Sequence, residues 1–341
     1  MRILVMGGTW FLGRAVVADA LARGWSVSTF NRGLSGDDIQ GVHTIHGDRT
    51  NTDDLNHLAE QGPWDAVVDT SASELPPSTV LKGARTLEPV SGSYVYVSTV
   101  SVYAGWPDLP LRVGDALLDG PPDADKDYGR NPEGWKGPNL HYGRQKAGCE
   151  RAVLAAFGEA RACFLRPGVI LGPGEYVGRL PWWLSRTQRG GAILAPAPSG
   201  QPIQPVDVRD VATFALDRAA AATGGTYNVA HPDAITFAEF LETCRNVTGG
   251  SGHPVWVEPE VLLENGVKEW TELPLWRTNA GVWAVDAGSA VEAGLRCRPL
   301  RETIADTWAW WQADGRPVDH PRWADHGIDL DKEATILASL S

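Results

Sequence analysis

The stretch "GGTWFLGR", Gly7 to Arg14, constrains the fold more than any other part of this chain. It follows a short apolar run, residues 2–6 (RILVM), and precedes residues 12–23 (LGRAVVADALAR), whose apolar spacing is helical and stops at Gly24. Residues 25–30 (WSVSTF) then read as a second strand. Strand, glycine turn, helix and strand within roughly 30 residues make a βαβ unit, which commits the chain to parallel strands with helical crossovers.

The alternation continues. "HTIHG" reads as a weak strand, 52–60 as a short helix, "DAVVDT" at 65–70 as a strong strand, 76–89 as a helix and "SYVYVS" at 93–98 as a strand. Gly105 to His141, rich in Gly, Pro and Asp, reads as one long loop. A helix over 142–158 and the strand "RACFLRP", stopped by Pro167, follow. This pattern predicts an α/β fold with a doubly wound parallel sheet. Beyond about residue 170 the signals become loop-rich, with short helices at 179–189 and 208–220 and a strand at "GTYNVA". The expected division is a dinucleotide domain over 1–170 with a further segment at about 206–232. A smaller C-terminal substrate-binding region takes 171–205 and 233–341.

A glycine turn of this kind lets backbone N–H groups approach a pyrophosphate, which the N-terminus of the following helix also attracts. Gly7 and Gly13 stand where the tight turn and the close helix–strand packing need them, Gly8 is a further small residue, and Trp10 occupies the usual place of the middle glycine. Thr9, Trp10, Phe11 and Leu12 are backbone candidates for the same ligand. The second strand ends in Phe30-Asn31-Arg32-Gly33. An acidic residue there would serve the ribose 2′-hydroxyl of NAD, whereas Asn31 and Arg32, with Arg14 nearby, favour NADP(H) over NAD(H). In "GDRT", Asp48 is a candidate acceptor for the adenine amino group, and Arg49 a candidate to pack on the ring. Ser71, Ala72 and Ser98, at the ends of later strands, complete the expected cofactor contacts. His43 and His46, three apart on a strand, lie on opposite faces, and no metal site is expected.

"YVYVSTVSVY" at 94–103 brings hydroxyls to the carboxyl end of a central strand, where open α/β sheets bind ligands. "YGRQK" puts Tyr142 and Lys146 at i and i+4 on one helix face. An ammonium beside a phenol favours the phenolate, and such a tyrosine exchanges a proton with a substrate oxygen near neutral pH.

With these motifs in place, the chain resembles the short-chain dehydrogenase/reductase superfamily, in the extended form that includes nucleotide-sugar epimerases and dehydratases. The resemblance runs to about residue 232, over "GGTWFLG", "VSTVSVY", "YGRQK", "LRPGVILGP" and "VDVRDVA". It implies a Rossmann fold, a catalytic triad of Thr99, Tyr142 and Lys146, a second role for Lys146 on the nicotinamide ribose, and backbone contacts to the nicotinamide end from Pro167 and Gly168. In this superfamily the helix bearing YxxxK often packs in dimers, so a homodimer is expected.

Three departures narrow what the resemblance implies. Val100-Ser101 stands where sugar 4,6-dehydratases carry an Asp-Glu pair, which disfavours that dehydration. Val169 replaces the asparagine, and Pro202 to Pro205 lacks the arginine, that hold a diphosphate in nucleotide-sugar epimerases; Arg179, Arg186 and Arg189 are the nearby substitutes. Trp10 and "FNRG" resemble the atypical branch that includes chloroplast stem-loop-binding-like proteins.

Fifteen tryptophans are unusual, and Trp106, Trp135, Trp182 and Trp183 lie in the two segments expected to cover the catalytic face. As a group they point to a large apolar or aromatic substrate, while any single one of them is more readily a core residue of the smaller domain. The leading expectation is therefore an NADP(H)-dependent oxidoreductase of the short-chain dehydrogenase/reductase type, reducing the carbonyl or imine of a non-nucleotide small molecule such as an aromatic or secondary metabolite. A nucleotide-sugar epimerase with tightly bound NAD(H) is the alternative, and a non-catalytic cofactor-sensing or RNA-binding protein is a third. The formal net charge of −12 argues against nucleic acid. The four cysteines form no CxxC pair, Met1-Arg2 leads straight into strand, and no run of about 20 apolar residues occurs, so a cytoplasmic, membrane-free protein is expected.

Overall fold

The computed structural model describes the chain except residues 35, 74, 126–140, 315–322, 324, 325 and 341. It forms two compact units. Met1–Gly168, Val208–Ala230 and Val285–Arg296 make the first; Val169–Asp207, His231–Ala284 and Cys297–Ser341 make the second.

In chain order the first unit contains β1 (Arg2–Met6), α1 (Phe11–Ala22), β2 (Ser26–Asn31), β3 (His43–His46), α2 (Thr52–Glu60), β4 (Trp64–Asp69), α3 (Pro77–Leu87), β5 (Ser91–Val97), α4 (Tyr142–Phe157) and β6 (Ala162–Pro167). The second unit then takes β7 (Ile170–Leu171), α5 (Arg179–Arg189), β8 (Ala192–Pro196), β9 (Pro202–Ile203) and β10 (Val206–Asp207). The chain returns to the first unit for α6 (Val208–Ala221) and β11 (Gly225–Val229). Of the remaining elements, β12 (Ile235–Thr236), α7 (Phe237–Thr248), β13 (His253–Val257) and α8 (Pro259–Glu264) belong to the second unit. So do α10 (Leu300–Asp314) and α11 (Leu330–Ser339), whereas α9 (Gly288–Glu292) belongs to the first.

The first unit is a seven-stranded sheet in the order β11-β6-β5-β4-β1-β2-β3, with every pair parallel. Its strands are apolar on both faces, as helical layers on both sides require: Ile3, Leu4, Val5 and Met6 of β1 are all fully buried. Leu4, Met6, Tyr94 and Tyr96 enter the core shared with Leu55, Val80 and Val153 of α2, α3 and α4. α3 packs on α4, and α1 packs on α6. The chain moves outward from β1 to β2 and β3, then returns to β4 on the other side. That reversal opens a crevice at the carboxyl ends of β1 and β4.

Residues 285–296 correct the sequence-derived division, which gave all of 233–341 to the C-terminal region. Val285 pairs with Leu111, Asp286 N donates to Leu111 O at 2.9 Å, and Asn228 Nδ2 donates to Asp286 O at 3.1 Å. These are long-range contacts made by a short segment without periodicity, so no local signal announces them.

The second unit holds three two-stranded pairings, β7 with β10, β8 with β13 and β9 with β12. Its core gathers Leu180, Trp183 and Leu184 of α5 with Phe237, Phe240, Trp276 and Trp283. The i, i+3, i+4 spacing on α5 places the first three on one stripe. A capping box starts α7: Thr236 N donates to Glu239 Oε2 at 2.7 Å, and Glu239 N donates to Thr236 Oγ1 at 3.1 Å. Among the described residues, no helix is long and apolar enough to cross a membrane.

Candidate active site

The turn after β1 is built by glycine. Gly7 and Gly8 have φ of +100° and +104°, the left-handed region that side chains rarely adopt. A Cβ on Gly13 would lie 2.7 Å from Gly8 N and 2.8 Å from Thr70 Oγ1, so α1 approaches β1 and β4 as closely as a glycine allows. Gly8 is equally constrained, since its Cβ would fall 2.7 Å from Thr29 Cγ2. Trp10 takes the N-cap position of α1 with extended backbone (φ −130°, ψ 145°) and is half-buried; Phe11, at φ +29°, opens the helix. No side chain caps α1, and its first turn carries no acidic residue. Thr9 and Leu12 are buried behind the turn.

At the end of β2, Asn31 Oδ1 accepts from Gly33 N at 2.8 Å, its Nδ2 is buried without a partner, and Arg32 is exposed. Past β5, Ser98 is buried with its Oγ unpartnered. Two orphaned polar atoms at the carboxyl ends of sheet strands, beside a glycine turn and an uncapped helix, fit a dinucleotide. Pro167 ends β6, and Gly168 N donates to Val229 O at 3.1 Å.

Arg49 departs from its expected role on an adenine ring. Its guanidinium is buried and donates to both Asp69 oxygens at 2.9 and 2.8 Å and to Ser71 Oγ at 2.8 Å. Tyr94 OH donates to Asp69 Oδ2 at 2.7 Å. The physical reason is Asp69: a fully buried carboxylate at the end of β4 must be paired, and Arg49 is its cation. Asp48 is turned inward on its own loop, accepting from Thr50 N and Oγ1, both at 2.8 Å. These backbone and side-chain bonds hold its carboxyl below the usual range. Ala72 is buried next to Ser71.

The proton-transfer candidates meet through a second glycine. A Cβ on Gly143 would fall 2.1 Å from Ser101 O, so the start of α4 presses against the turn Val100–Val102. That contact sets Tyr142 beside the turn that Thr99 caps. Thr99 Oγ1 accepts from Ser101 N at 3.1 Å and donates to Ser101 Oγ at 3.3 Å. Lys146, one turn further along α4, is buried and donates from Nζ to Tyr96 OH at 2.8 Å and Val97 O at 2.7 Å. Burial pulls its ammonium down to about 8. Sequence reasoning did not assign Gly143; a glycine directly after the tyrosine of a helical YxxxK was the available signal.

The tryptophans divide. Trp183 is fully buried, donates from Nε1 to Pro274 O at 2.8 Å and packs edge-on against Phe237, which corrects its expected place in a substrate site. It lies on the buried stripe of α5, where a large indole stabilises the core. Trp182 is half-buried and lines a cavity of about 180 Å³ with Pro181, Trp311 and Trp323. Trp106 packs beside Val102, Tyr103 and Leu111 in the first unit. Trp135 lies outside the described residues.

Of the arginines considered for a diphosphate, Arg186 is committed to structure: Nε donates to Glu333 at 2.8 Å and Nη1 to Gly190 O at 3.0 Å. Arg189 is exposed. Arg179 lies 5.2 Å from the Trp270 ring centroid, and Arg277, which the motifs did not single out, lies 4.9 Å from the same ring. Arg277 is half-buried, its Nε has no partner, and no hydrogen bond or ion pair ties it to any described residue. Burial pushes its guanidinium down, against a partial offset from Glu269. Trp270 and Leu275 hold this loop at φ +67° and +71°, conformations costly for such side chains. Among the described residues, no three metal-ligating side chains converge.

Comparison with known proteins follows this geometry. A family model described as the NAD dependent epimerase/dehydratase family matches residues 3–230. The chain is similar to chloroplast stem-loop binding protein of 41 kDa b of Arabidopsis thaliana, 25% identical over 283 residues. That match covers 77% of this chain and 66%, just under two thirds, of the relative's own length. In fold it is similar to the Bordetella bronchiseptica enzyme WbmH in complex with NAD+, with TM-score 0.68 and 18% identity over 92% of this chain and 99% of that one. Thermus thermophilus UDP-glucose 4-epimerase in complex with NAD gives TM-score 0.60 and 18% identity, again over 92% and 99% of the two chains.

Proposed function

The chain belongs to the NAD dependent epimerase/dehydratase family, and on that premise we propose that it is a nicotinamide-dependent oxidoreductase acting on a phosphate-bearing substrate, in the manner of a nucleotide-sugar epimerase. The observation that carries the substrate class is Arg277. A guanidinium held partly out of water on an indole, with no hydrogen-bonding partner among the described residues, is a costly arrangement unless an anion completes it. Arg179, on the same ring, is a second cation, with its Nη1 already 3.5 Å from the buried Glu175 carboxylate. Together they supply what Val169 and the cation-free Pro202–Pro205 stretch withhold, which turns the reading away from a non-nucleotide metabolite.

The first unit carries the chemistry. A bound nicotinamide supplies or accepts the hydride. Tyr142 removes the proton from a substrate hydroxyl as it is oxidised and returns it on reduction. The Lys146 ammonium favours the phenolate that this requires. Thr99 Oγ1 donates to the substrate oxygen, exchanging its bond with Ser101 Oγ for one that strengthens as charge develops there. Gly7, Gly13 and the start of α1 hold the pyrophosphate, and Asn31 Nδ2 and Ser98 Oγ gain partners from the cofactor.

A second reading, an NADP(H)-dependent carbonyl reductase of a non-nucleotide substrate, draws on Asn31 and Arg32. A strand end without a carboxylate suits a 2′-phosphate, and on that ground NADP(H) is the proposed cofactor under either reading. The name of the Arabidopsis relative speaks of stem-loop binding, but a net charge of −12 argues against RNA here.

Calorimetry with UDP, cofactor present at saturation, tests the substrate class. UDP should bind, and Arg277→Gln should weaken it about tenfold or more, the worth of a lost charge-assisted hydrogen bond. Turnover of a UDP-hexose should fall at least about a hundredfold in Tyr142→Phe. No UDP binding by the unaltered chain would move the assignment to the reductase.

A further inference from the structure

Lys146 is enclosed in an unusual way. It is 2% exposed, and no carboxylate among the described residues pairs with it. Instead, Nζ donates to Tyr96 OH and Val97 O and lies 4.2 Å from the Tyr96 ring centroid. One tyrosine therefore meets the ammonium with both its oxygen and its ring.

The Tyr96 hydroxyl is the middle of a chain. It accepts from Lys146 Nζ and donates toward Cys149, whose Sγ donates in turn to Leu75 O at 3.6 Å. Leu75 O also accepts from Gln145 Nε2 at 2.7 Å. Tyr94, two residues earlier and on the same face of β5, sends its hydroxyl to Asp69. The two tyrosines thus divide the cations beneath the crevice: Tyr94 completes the Arg49–Asp69 pair, and Tyr96 takes Lys146.

We propose that Tyr96 is the positioning residue for Lys146: it anchors the ammonium at the carboxyl end of β5 with two of its three N–H bonds committed to the protein, leaving one for a ligand hydroxyl. The inference rests on the reading of Lys146 as the residue that serves the cofactor ribose and Tyr142. Without such an anchor, a four-carbon side chain carrying a strongly hydrated charge would turn toward solvent and lose both contacts. Tyr96 also bears on protonation. Burial disfavours the charged form, and each oxygen facing Nζ favours it. Cys149 and Glu150 on α4 and Asp69 at the end of β4 act in the same favourable sense, and Arg49 opposes it. Removing the Tyr96 oxygen therefore lowers the pH at which Lys146 loses its proton.

The test reads Lys146 directly and needs no substrate. In the full chain labelled with 15N-lysine, the Nζ resonance is identified by its loss in Lys146→Met and titrated through neutral and alkaline pH. Tyr96→Phe should move the midpoint down by about one pH unit, a tenfold change in the ionisation constant, and NADPH affinity, read by fluorescence, should weaken several-fold. An unmoved midpoint in a folded Tyr96→Phe chain overturns the proposal. Should that variant not fold, Cys149→Ala takes its place: it withdraws the acceptor that polarises the Tyr96 hydroxyl, so the midpoint falls by a smaller step, and a midpoint that stays put overturns the proposal equally. Lys146→Met with unchanged NADPH affinity would instead remove the cofactor reading of Lys146, whatever Tyr96 does.

Discussion

Arg49 in the first unit and Arg277 in the second are both withdrawn from water, but on opposite terms. Arg49 places its two terminal nitrogens on Asp69, one of them also on Ser71, and Tyr94 completes the carboxylate. Arg166 in the same unit is paired through all three nitrogens, with Glu150 at 2.9 and 2.6 Å and Tyr103 OH at 3.0 Å. Among the described residues, Arg277 has an indole face and a favourable charge interaction with Glu269, but no hydrogen bond or ion pair. A buried cation bonded to a carboxylate through both terminal nitrogens is part of the scaffold, even where its Nε lacks a partner as in Arg49; a half-buried cation with no carboxylate bonded to it among the described residues is available to a ligand. The same residue type therefore supports different conclusions, and only the list of partners separates them.

Breaking the Arg49–Asp69 pair should have the largest effect. Asp69→Ala leaves the Arg49 guanidinium buried and uncompensated, so urea denaturation should show a loss of about 3–5 kcal/mol. Acid should reveal the same pair. Burial alone would raise the Asp69 carboxyl, but Arg49, with Tyr94 and Ser71 N, holds it below 3.8. Its contribution is thus fully present above that unfolded value and is lost as pH falls through the lower, folded one. Acid unfolding that begins at the same pH in the variant and the parent would deny Asp69 this role.

A smaller effect is expected at Arg32, an exposed cation at the end of β2. Arg32→Glu should weaken NADP(H) about tenfold by direct binding while sparing NAD(H), since only the former brings a 2′-phosphate to that carboxylate. Equal weakening of both would place Arg32 elsewhere on the cofactor, or off it. The smallest effect sharpens the comparison most. Arg277→Gln should change stability by no more than about 0.5 kcal/mol, because the parent residue completes no hydrogen bond with any described residue. A loss of about 2 kcal/mol or more would make Arg277 a second Arg49 and withdraw it from ligand binding.

Much of the first unit was legible in the chain. β1, β4, β5 and β6 carry short apolar runs, and those signals are local, whereas β3 (HTIH) has little apolar content and reads only weakly. Gly7, Gly13, Tyr142 and Lys146 were readable because fixed spacing on one turn or one helix face dictates them. Arg49 misled, because "GDRT" does not disclose a carboxylate twenty residues away that must be neutralised. Which of Trp182 and Trp183 packs the core was left open for a related reason: a Trp-Trp pair on a helix reads the same whether the first or the second residue faces the core. The role of 285–296 depended on pairing with Leu111, across a separation that no periodicity reports.

The sequence by itself determined that the sheet strands run parallel, the glycine turn between the first strand and helix, and the helix that carries Tyr142 and Lys146, since each follows from backbone conformation and short-range spacing, whereas the order of the strands in the sheet came from the tertiary structure. Only the tertiary structure decided which charges are consumed by the fold and which are left for a ligand. Arg49, Arg166 and Arg186 are indistinguishable from Arg277 as letters. They differ through partners tens to more than a hundred residues distant, and it is the desolvation of a charge, offset or left open by those partners, that sets their roles.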